Sequence, residues 1–409
     1  MHLFKCVIII VRLDMKKYIL IIITIFMLSG CGEKTHKVSN SDQVKLIKDQ
    51  IEVHSDINLL DLLEIDNNVV ENITKDKKIN TNKLGKKTIE FSYRFEGEKY
   101  IYKFNIFVVD TEAPRVFGGT NRTVNKGFNG DPCDLISYGD NHDGVVNCQI
   151  EGSYDLNTVG TYHLVFKLSD SSNNVTDVNV TLNVVNPTNN KKTNNTVTKK
   201  TSFTDIVAQH KNDNTEIGID VSKWQGDIDF NKVRDAGATF VMMRIGVQVK
   251  TLEDLQLDSY YEKNIKNAKA AGLKVGVYLY SIATSAEEAK KHAEWVLNKL
   301  DGETLELPIV FDWENWSKWN TYKISFYDIN NIANTFIETV KDAGYEGMLY
   351  SSKFYLDEIW ENKNNHPVWL AHYTSKTSYT GDYVMWQLSN TGKIDGINGD
   401  VDIDILYKR

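Results

Sequence analysis

This chain has no surplus of positive charge, little proline and no membrane-length apolar run. Lys and Arg number 47 against 55 Asp and Glu, and the net charge of −8 is spread evenly along 409 residues. Without a basic stripe, nucleic acid is excluded as a partner. Only five prolines occur; beside abundant Lys, Asn and Ile, this reflects genome composition more than function. The N-terminal apolar stretch from Tyr18 to Leu28 is shorter than the ~20 residues of a comfortable membrane span. What remains is a chain with room for two or three domains.

Two lysines at positions 16 and 17, the short apolar core and small residues at its end have the layout of a secretory signal. Leu28-Ser-Gly-Cys31 resembles the bacterial lipobox, whose cysteine is diacylated and becomes the mature N-terminus. Residues 1–30 are therefore expected to be a signal peptide with its start at Met15. Residues 31–44 would be a tether anchored by lipid at Cys31 to the outer face of a bacterial cell membrane. An uncleaved anchor or a plain signal peptide is the alternative. Of the four cysteines, Cys6 lies in the prefix and Cys31 is the lipid site. Cys133 and Cys148 remain, in an exported context where disulfides persist, and are expected to pair.

Residues 45–111 and 112–187 read as two copies of one pattern. Leu84-Gly85 precedes the runs 88–93 and 102–109, and Val159-Gly160 precedes 162–166 and 178–185. Short alternating runs between turn residues predict β-sandwiches, and the second copy resembles the immunoglobulin-like repeats of bacterial surface proteins. Asp140-Asn-His142-Asp143-Gly144 could be a metal loop, but no regular ligand spacing follows, so a polar turn is expected. Both copies are read as spacers. Residues 188–214 shift to Asn, Thr and Lys, with only a short apolar patch from Phe203 to Ala208, and predict a flexible linker.

From 215 to 409, eight β-rich runs alternate with amphipathic helices, at 217–221, 239–245, 274–280, 308–311, 347–351, 368–372, 384–388 and 401–406. Eight such runs suggest a barrel of parallel strands, irregular after the sixth, where the connections are too short for full helices. Ser285-Ala-Glu-Glu288 is a capping box opening a helix over 286–300. Ile329, Ile332, Ala333, Phe336, Ile337 and Val340 form one continuous helical face.

Chemistry in such a barrel collects at one end of the strands. Asp312 and Glu314 stand two apart at the end of the fourth run, so their side chains leave on one face, roughly 6–7 Å apart. Cleavage of a glycosidic bond needs one carboxyl that keeps its proton and one that stays ionised. Asp220 ends the first strand, His372 the sixth and Gln387 the seventh, while Asp402 lies on the eighth. Clustered carboxylates raise one another's pKa.

Ile219-Asp-Val-Ser-Lys-Trp-Gln-Gly226, the run 274–280, Pro308–Glu314, Trp369–Tyr373, Trp386-Gln387 and Val401-Asp-Ile403 resemble, in order and spacing, the glycoside hydrolase family 25 lysozymes. The resemblance covers residues 215–409. It implies an irregular TIM-like (β/α) barrel that cleaves the β-1,4 bond between N-acetylmuramic acid and N-acetylglucosamine in peptidoglycan, with no cofactor and no metal. Carried over by position, Glu314 is the general acid and Asp312 its charged partner, with Asp220 and Asp402 as the other two acids. Tyr278, Tyr280, Trp316, Trp369, His372, Tyr373, Trp386 and Gln387 are the expected substrate contacts, with Trp313 turned away. The whole chain then reads as a lipid-anchored wall hydrolase for remodelling or local wall opening. A silent wall-binding protein and a hydrolase of another acetamido-sugar polymer are the alternatives.

Overall fold

A computed structural model describes residues 34–67, 70–187, 200–249, 254–361 and 365–408. The expected signal segment 1–30, the lipidation site Cys31 and residues 188–199 of the expected linker lie outside the described residues. No helix among those described is long and apolar enough to cross a membrane. The chain divides into two compact units. One takes residues up to Asp49 with Ile57–Ile79 and Lys86–Ile106; the other takes Gln50–Asp56, Asn80–Gly85 and Phe107 onward.

The first unit is almost entirely strands. In it Thr35–Val38 pairs in parallel with 99–102, and Val70–Asn72 runs antiparallel to 93–95. Phe91, Tyr93, Phe104 and Ile106 are buried in it.

In the second unit, residues 112–187 form a four-stranded sheet in the order Asn147–Glu151, Gly160–Ser169, Val175–Val185, Asn121–Asn125. A two-stranded sheet pairs Arg115–Phe117 with Ser137–Gly139. Alternation puts Leu164, Phe166, Val180, Leu182 and Val184 in the core, as the period of two requires. Cys133 and Cys148 are joined by a disulfide, S–S 2.06 Å, at the edge of that core.

The expected linker of 188–214 is corrected in its second half. Thr201 and Ser202 pair with 392 and 393, and α1 (Phe203–His210) follows with Ser202 as its N-cap. Phe203 is fully buried and Ile206 nearly so. The apolar patch noted in the sequence is thus one face of a helix docked on the barrel, not part of a solvated tether.

The barrel strands are β1 (Thr215–Val221), β2 (Phe240–Gln248), β3 (Lys274–Tyr280), β4 (Ile309–Asp312), β5 (Gly347–Ser352), β6 (Val368–Ala371), β7 (Met385–Lys393) and β8 (Val401–Tyr407). Between them lie α2 (Phe230–Asp235), α3 (Tyr261–Ala270), α4 (Ala286–Leu300), α5 (Trp319–Tyr322), α6 (Phe326–Asp342) and α7 (Lys353–Glu358). Strands β1 to β7 run parallel in order, and β8 closes the ring between β7 and β1. The all-parallel expectation fails at that strand, because β8 is antiparallel to both neighbours. An apolar run carries no direction. The short β7–β8 connection, without a helix, turns the chain back on itself like a hairpin.

Every strand is buried on both faces. Outward residues such as Ile219, Val241, Val277, Phe311 and Leu349 pack under the helices, and α6 buries the whole predicted face from Ile329 to Val340. Inward residues Phe240, Met242, Val310, Met348, Trp369 and Met385 fill the barrel itself. That apolar plug forms the floor beneath the polar end.

The 112–187 sheets pack directly on the barrel around α5 and α6. Phe117 meets Trp319 and Phe326 edge-on, and Arg115 lies over the Phe326 ring at 4.1 Å. Trp319 Nε1 donates to the Tyr138 carbonyl and Asn320 Nδ2 to the Ile136 carbonyl, each at 2.9 Å. Gly144 comes so close that a Cβ there would lie 2.2 Å from the Lys323 carbonyl oxygen.

Candidate active site

The polar end of the barrel is assembled by inward-facing residues one layer above the plug. Asp220 on β1 stands opposite Asp402 on β8 in strand register. Because β8 runs backwards, Asp402 reaches the mouth near the start of its strand, where the parallel strands contribute their ends. Asp404, two residues on, points the same way and lies deeper, fully buried. On the far side Asp312 ends β4, in register with Tyr280 and Tyr350. Glu314 follows two residues later and is exposed at the mouth.

Gln387 ties the two sides together. Its Nε2 donates to Asp220 Oδ2 at 2.7 Å, and its Oε1 accepts from the hydroxyls of Tyr350 and Tyr373, each at 2.9 Å. The carboxylate partner fixes which end of the amide is which. Tyr278 also bonds Asp220. Trp369 Nε1 donates to Asp404 Oδ1 at 2.9 Å. Opposite, Arg244 on β2 is paired with Asp258 at 2.7 Å, close enough to act on Asp312. One oxygen of Asp312 is buried without a hydrogen-bond partner.

All five carboxyls are pushed up, first by burial. Glu314 adds to Asp312 while the Arg244 charge opposes the rise. Glu314 itself is raised by its surroundings and then by Asp402. Asp402 is pushed up to about 6, with Asp400 raising it and its hydrogen bond with Asp220 lowering it. For Asp220 the charges of Asp402 and Asp404 add to burial, and for Asp404 that of Asp402 does. Glu314 is exposed by surface yet ringed by protein atoms, as at the floor of an open cleft. The exposure governs access, and the ring governs the proton. Such a chain of acids cannot be fully ionised near neutral pH, so protons stay in the mouth.

Several expected substrate contacts are placed elsewhere. Trp386 is corrected. It neighbours Gln387 on β7, so it faces outward into the helix layer, buried, with its Nε1 on the His372 carbonyl. Trp316 is buried at 5% exposure in an aromatic stack with Tyr355 and Trp319, and therefore supports the Glu314 loop from behind. Trp369, at 1% exposure, belongs to the plug and to Asp404, not to a sugar platform. The His372 ring is bonded to the Thr377 hydroxyl at 2.8 Å, and no contact joins it to the acids. Trp313 is fully buried and donates to the Ala283 carbonyl. Tyr278, Tyr280, Tyr373 and Gln387 do lie with the acids; burial lifts Tyr280 to about 12, helped by Asp312 and Glu314.

Three residues of the mouth were not assigned from the sequence. Arg244 is a lone charge inside an apolar strand, Asp404 repeats Asp402 at the strand period, and Tyr350 continues the inward alternation of Met348. Trp224, between Ser222 and Gln225 of a capping box just after β1, is 76% exposed.

Residues 219–397 match the model of the glycosyl hydrolases family 25. The chain is 31% identical over 190 residues to the autolytic lysozyme of Clostridium acetobutylicum, covering 46% of this chain and 54% of that protein. It is 28% identical over 204 residues to lysozyme M1 of Streptomyces globisporus, 45% of this chain and 65% of the other. The chain thus spans about half to two thirds of the length of these relatives. A solved family 25 glycosyl hydrolase from Bacillus anthracis is similar over 49% of this chain and 92% of its own, at 22% identity and a TM-score of 0.42; the architecture rests on the strand pairing itself. The family match runs from β1 to β7, so it is the C-terminal barrel that is similar to the glycosyl hydrolases of family 25.

Proposed function

We propose that this protein is a peptidoglycan hydrolase that cuts the β-1,4 bond between N-acetylmuramic acid and N-acetylglucosamine. The observation that carries the reading is the convergence of Asp220, Asp312, Glu314 and Asp402 on one mouth, with Glu314 the member open to solvent. Glu314 gives its proton to the bridging oxygen as the bond from that oxygen to the sugar's C1 breaks. Asp312, beneath it, faces the positive charge that develops on the ring. The acetamido oxygen of the substrate or a water attacks C1, and a water finally returns a proton to Glu314. Asp220 and Asp402, braced by Gln387 and Tyr278, set the field and hold the sugar. Two relatives bear the name lysozyme, which favours a wall substrate over other acetamido-sugar polymers.

The rest of the chain fits an anchored enzyme. In this reading Cys31 carries lipid at the outer face of the cell membrane, and the strand-rich regions are immunoglobulin-like spacers. Cutting is then confined to the cell's own inner wall, for remodelling or local opening. The test is mass spectrometry of fragments released from purified peptidoglycan by the full chain and by Glu314→Gln. Reducing muramic-acid ends from the unmodified protein alone support the reading. Sedimentation with the wall and no release from either protein would make the barrel a binding module.

A further inference from the structure

A second group of buried acids lies outside the mouth, at one pole of the 112–187 sheets. Asp110 follows the strand Glu98–Val109, Asp140 follows Ser137–Gly139, and Asp170 follows Gly160–Ser169, so three strand ends deliver a carboxylate to one place. Ligand oxygens of Asp110, Asp140 and Asp143 all lie within 4.8 Å of one another. Asp110 is 6% exposed and Asp140 1%. Asp140 Oδ2 has no hydrogen-bond partner and both carboxylate oxygens of Asp110 are buried; the groups that ease the Asp110 charge are Asn141 and the Glu112 amide. These are buried anionic oxygens gathered at one place, and burying even one without a partner, as Asp140 Oδ2 is, is costly. The other oxygens are already in use. Asp140 Oδ1 accepts from the amides of His142 and Asp143 at 2.8 and 2.7 Å, and Asp143 Oδ2 accepts from Ser171 N. Asp170 is engaged by Asn174 through both oxygens. Asn141 adds a buried amide oxygen with no partner. No Lys or Arg is among the groups acting on Asp110 or Asp140.

We propose that Asp110, Asp140 and Asp143 bind a calcium ion. The donors are all hard oxygens, and their mutual spacing suits ligands that each sit 2.3–2.6 Å from one ion. No thiolate belongs to the group. The nearest imidazole, His142, has its Nδ1 bonded to His54 Nε2 at 2.9 Å, so a softer metal finds nothing it prefers. Calcium accepts an irregular set with water completing it, whereas magnesium demands a near-octahedral cage.

The ion would fasten two parts of one unit. The Asp140 carbonyl accepts from Phe326 N at 2.8 Å and the Asn141 carbonyl from Tyr327 N at 3.3 Å, both at the first turn of α6. His54 stacks on the Tyr327 ring at 3.5 Å. Fixing the Asp140–Asp143 loop therefore fixes the seat of the sheets on the barrel. Spacing within the loop gave no regular ligand set because the third ligand, Asp110, comes from thirty residues upstream.

The test is calorimetric titration of the EGTA-treated full chain with calcium chloride, together with thermal unfolding in calcium, magnesium and EGTA at matched ionic strength. Expected are one calcium per chain, a Kd near or below ~10⁻³ M as in extracellular modules, and a rise in Tm of a few degrees at saturation. Asp110→Asn should lose at least tenfold in affinity. It should also melt no lower than the unmodified protein in EGTA, because it removes a like charge from a group of buried acids; a merely structural Asp110 would give the opposite shift. Should that variant fail to fold, Asp143→Asn, on the more open side, carries the same affinity test. No binding at 10 mM calcium, an equal response to magnesium, or unchanged affinity in the variants overturns the proposal.

Discussion

The barrel mouth and the pole of the sheets both bury several carboxylates within reach of one another, but they are furnished differently. In the mouth, Gln387, Tyr278, Trp369 and Arg244 reach individual oxygens of Asp220, Asp404 and Asp312 or act on their charge. Burial and the acids' mutual repulsion keep protons in the group, Tyr278, Trp369 and Arg244 oppose that rise, and Glu314 is left open to a substrate. At the pole the partners are backbone amides and the side chains of Asn141 and Asn174, and Asp140 Oδ2 has none. A group of acids can thus be stabilised by shared protons or by a shared cation.

The sharpest way to break this contrast is Glu314→Gln. Loss of a general acid is worth about 10²–10⁴ in rate, so turnover of peptidoglycan should fall by at least ~10²-fold with Tm unchanged, measured as released reducing ends. A variant that keeps its rate would place the acid elsewhere in the mouth.

Asp402→Asn probes the stored protons. Asp402 is raised from 3.8 to about 6, so its folded form binds the proton more tightly than the unfolded chain does. Its stabilising contribution is complete below pH ~4 and is lost as pH rises to about 6. At pH 7 the Asn variant should therefore be more stable by about 1–3 kcal/mol, with a flatter profile across pH 4–6 in denaturant titrations, while activity drops. A variant that melts earlier at pH 7 would show that the charge is not strained there.

Tyr350→Phe removes one of two hydroxyls on Gln387 Oε1 and should cost about 1 kcal/mol of stability, seen as a small shift in unfolding midpoint. The smallest effect separates the two groups outright. EGTA should change turnover at 25 °C by less than ~2-fold, since Asp110 and Asp140 lie outside the mouth; a loss comparable to that of Glu314→Gln would mean the two groups act as one.

Much of the barrel was legible because its strands are buried on both faces and read as apolar runs, and because the 286–300 helix announces itself with a capping box. Strand direction was not legible, and neither was depth. Trp386 and Gln387 are adjacent letters on opposite faces, and only the register with β6 and β8 says which one enters the mouth. Trp316 and Trp369 are aromatic and close to acids in sequence, yet the loop and the plug bury them. Asp404 was hidden inside a run read as core, and Asp110 by its distance along the chain from the loop it meets.

The backward course of β8 also sets a schedule. Until residues 401–407 are made, β1 has no neighbour on its open side and the mouth lacks both Asp402 and Asp404. The pairing of Thr215 with Tyr407 joins positions nearly two hundred residues apart, a long-range contact of the slow kind. The polar mouth is therefore completed last, only once the end of the domain has been made and has turned back along its beginning.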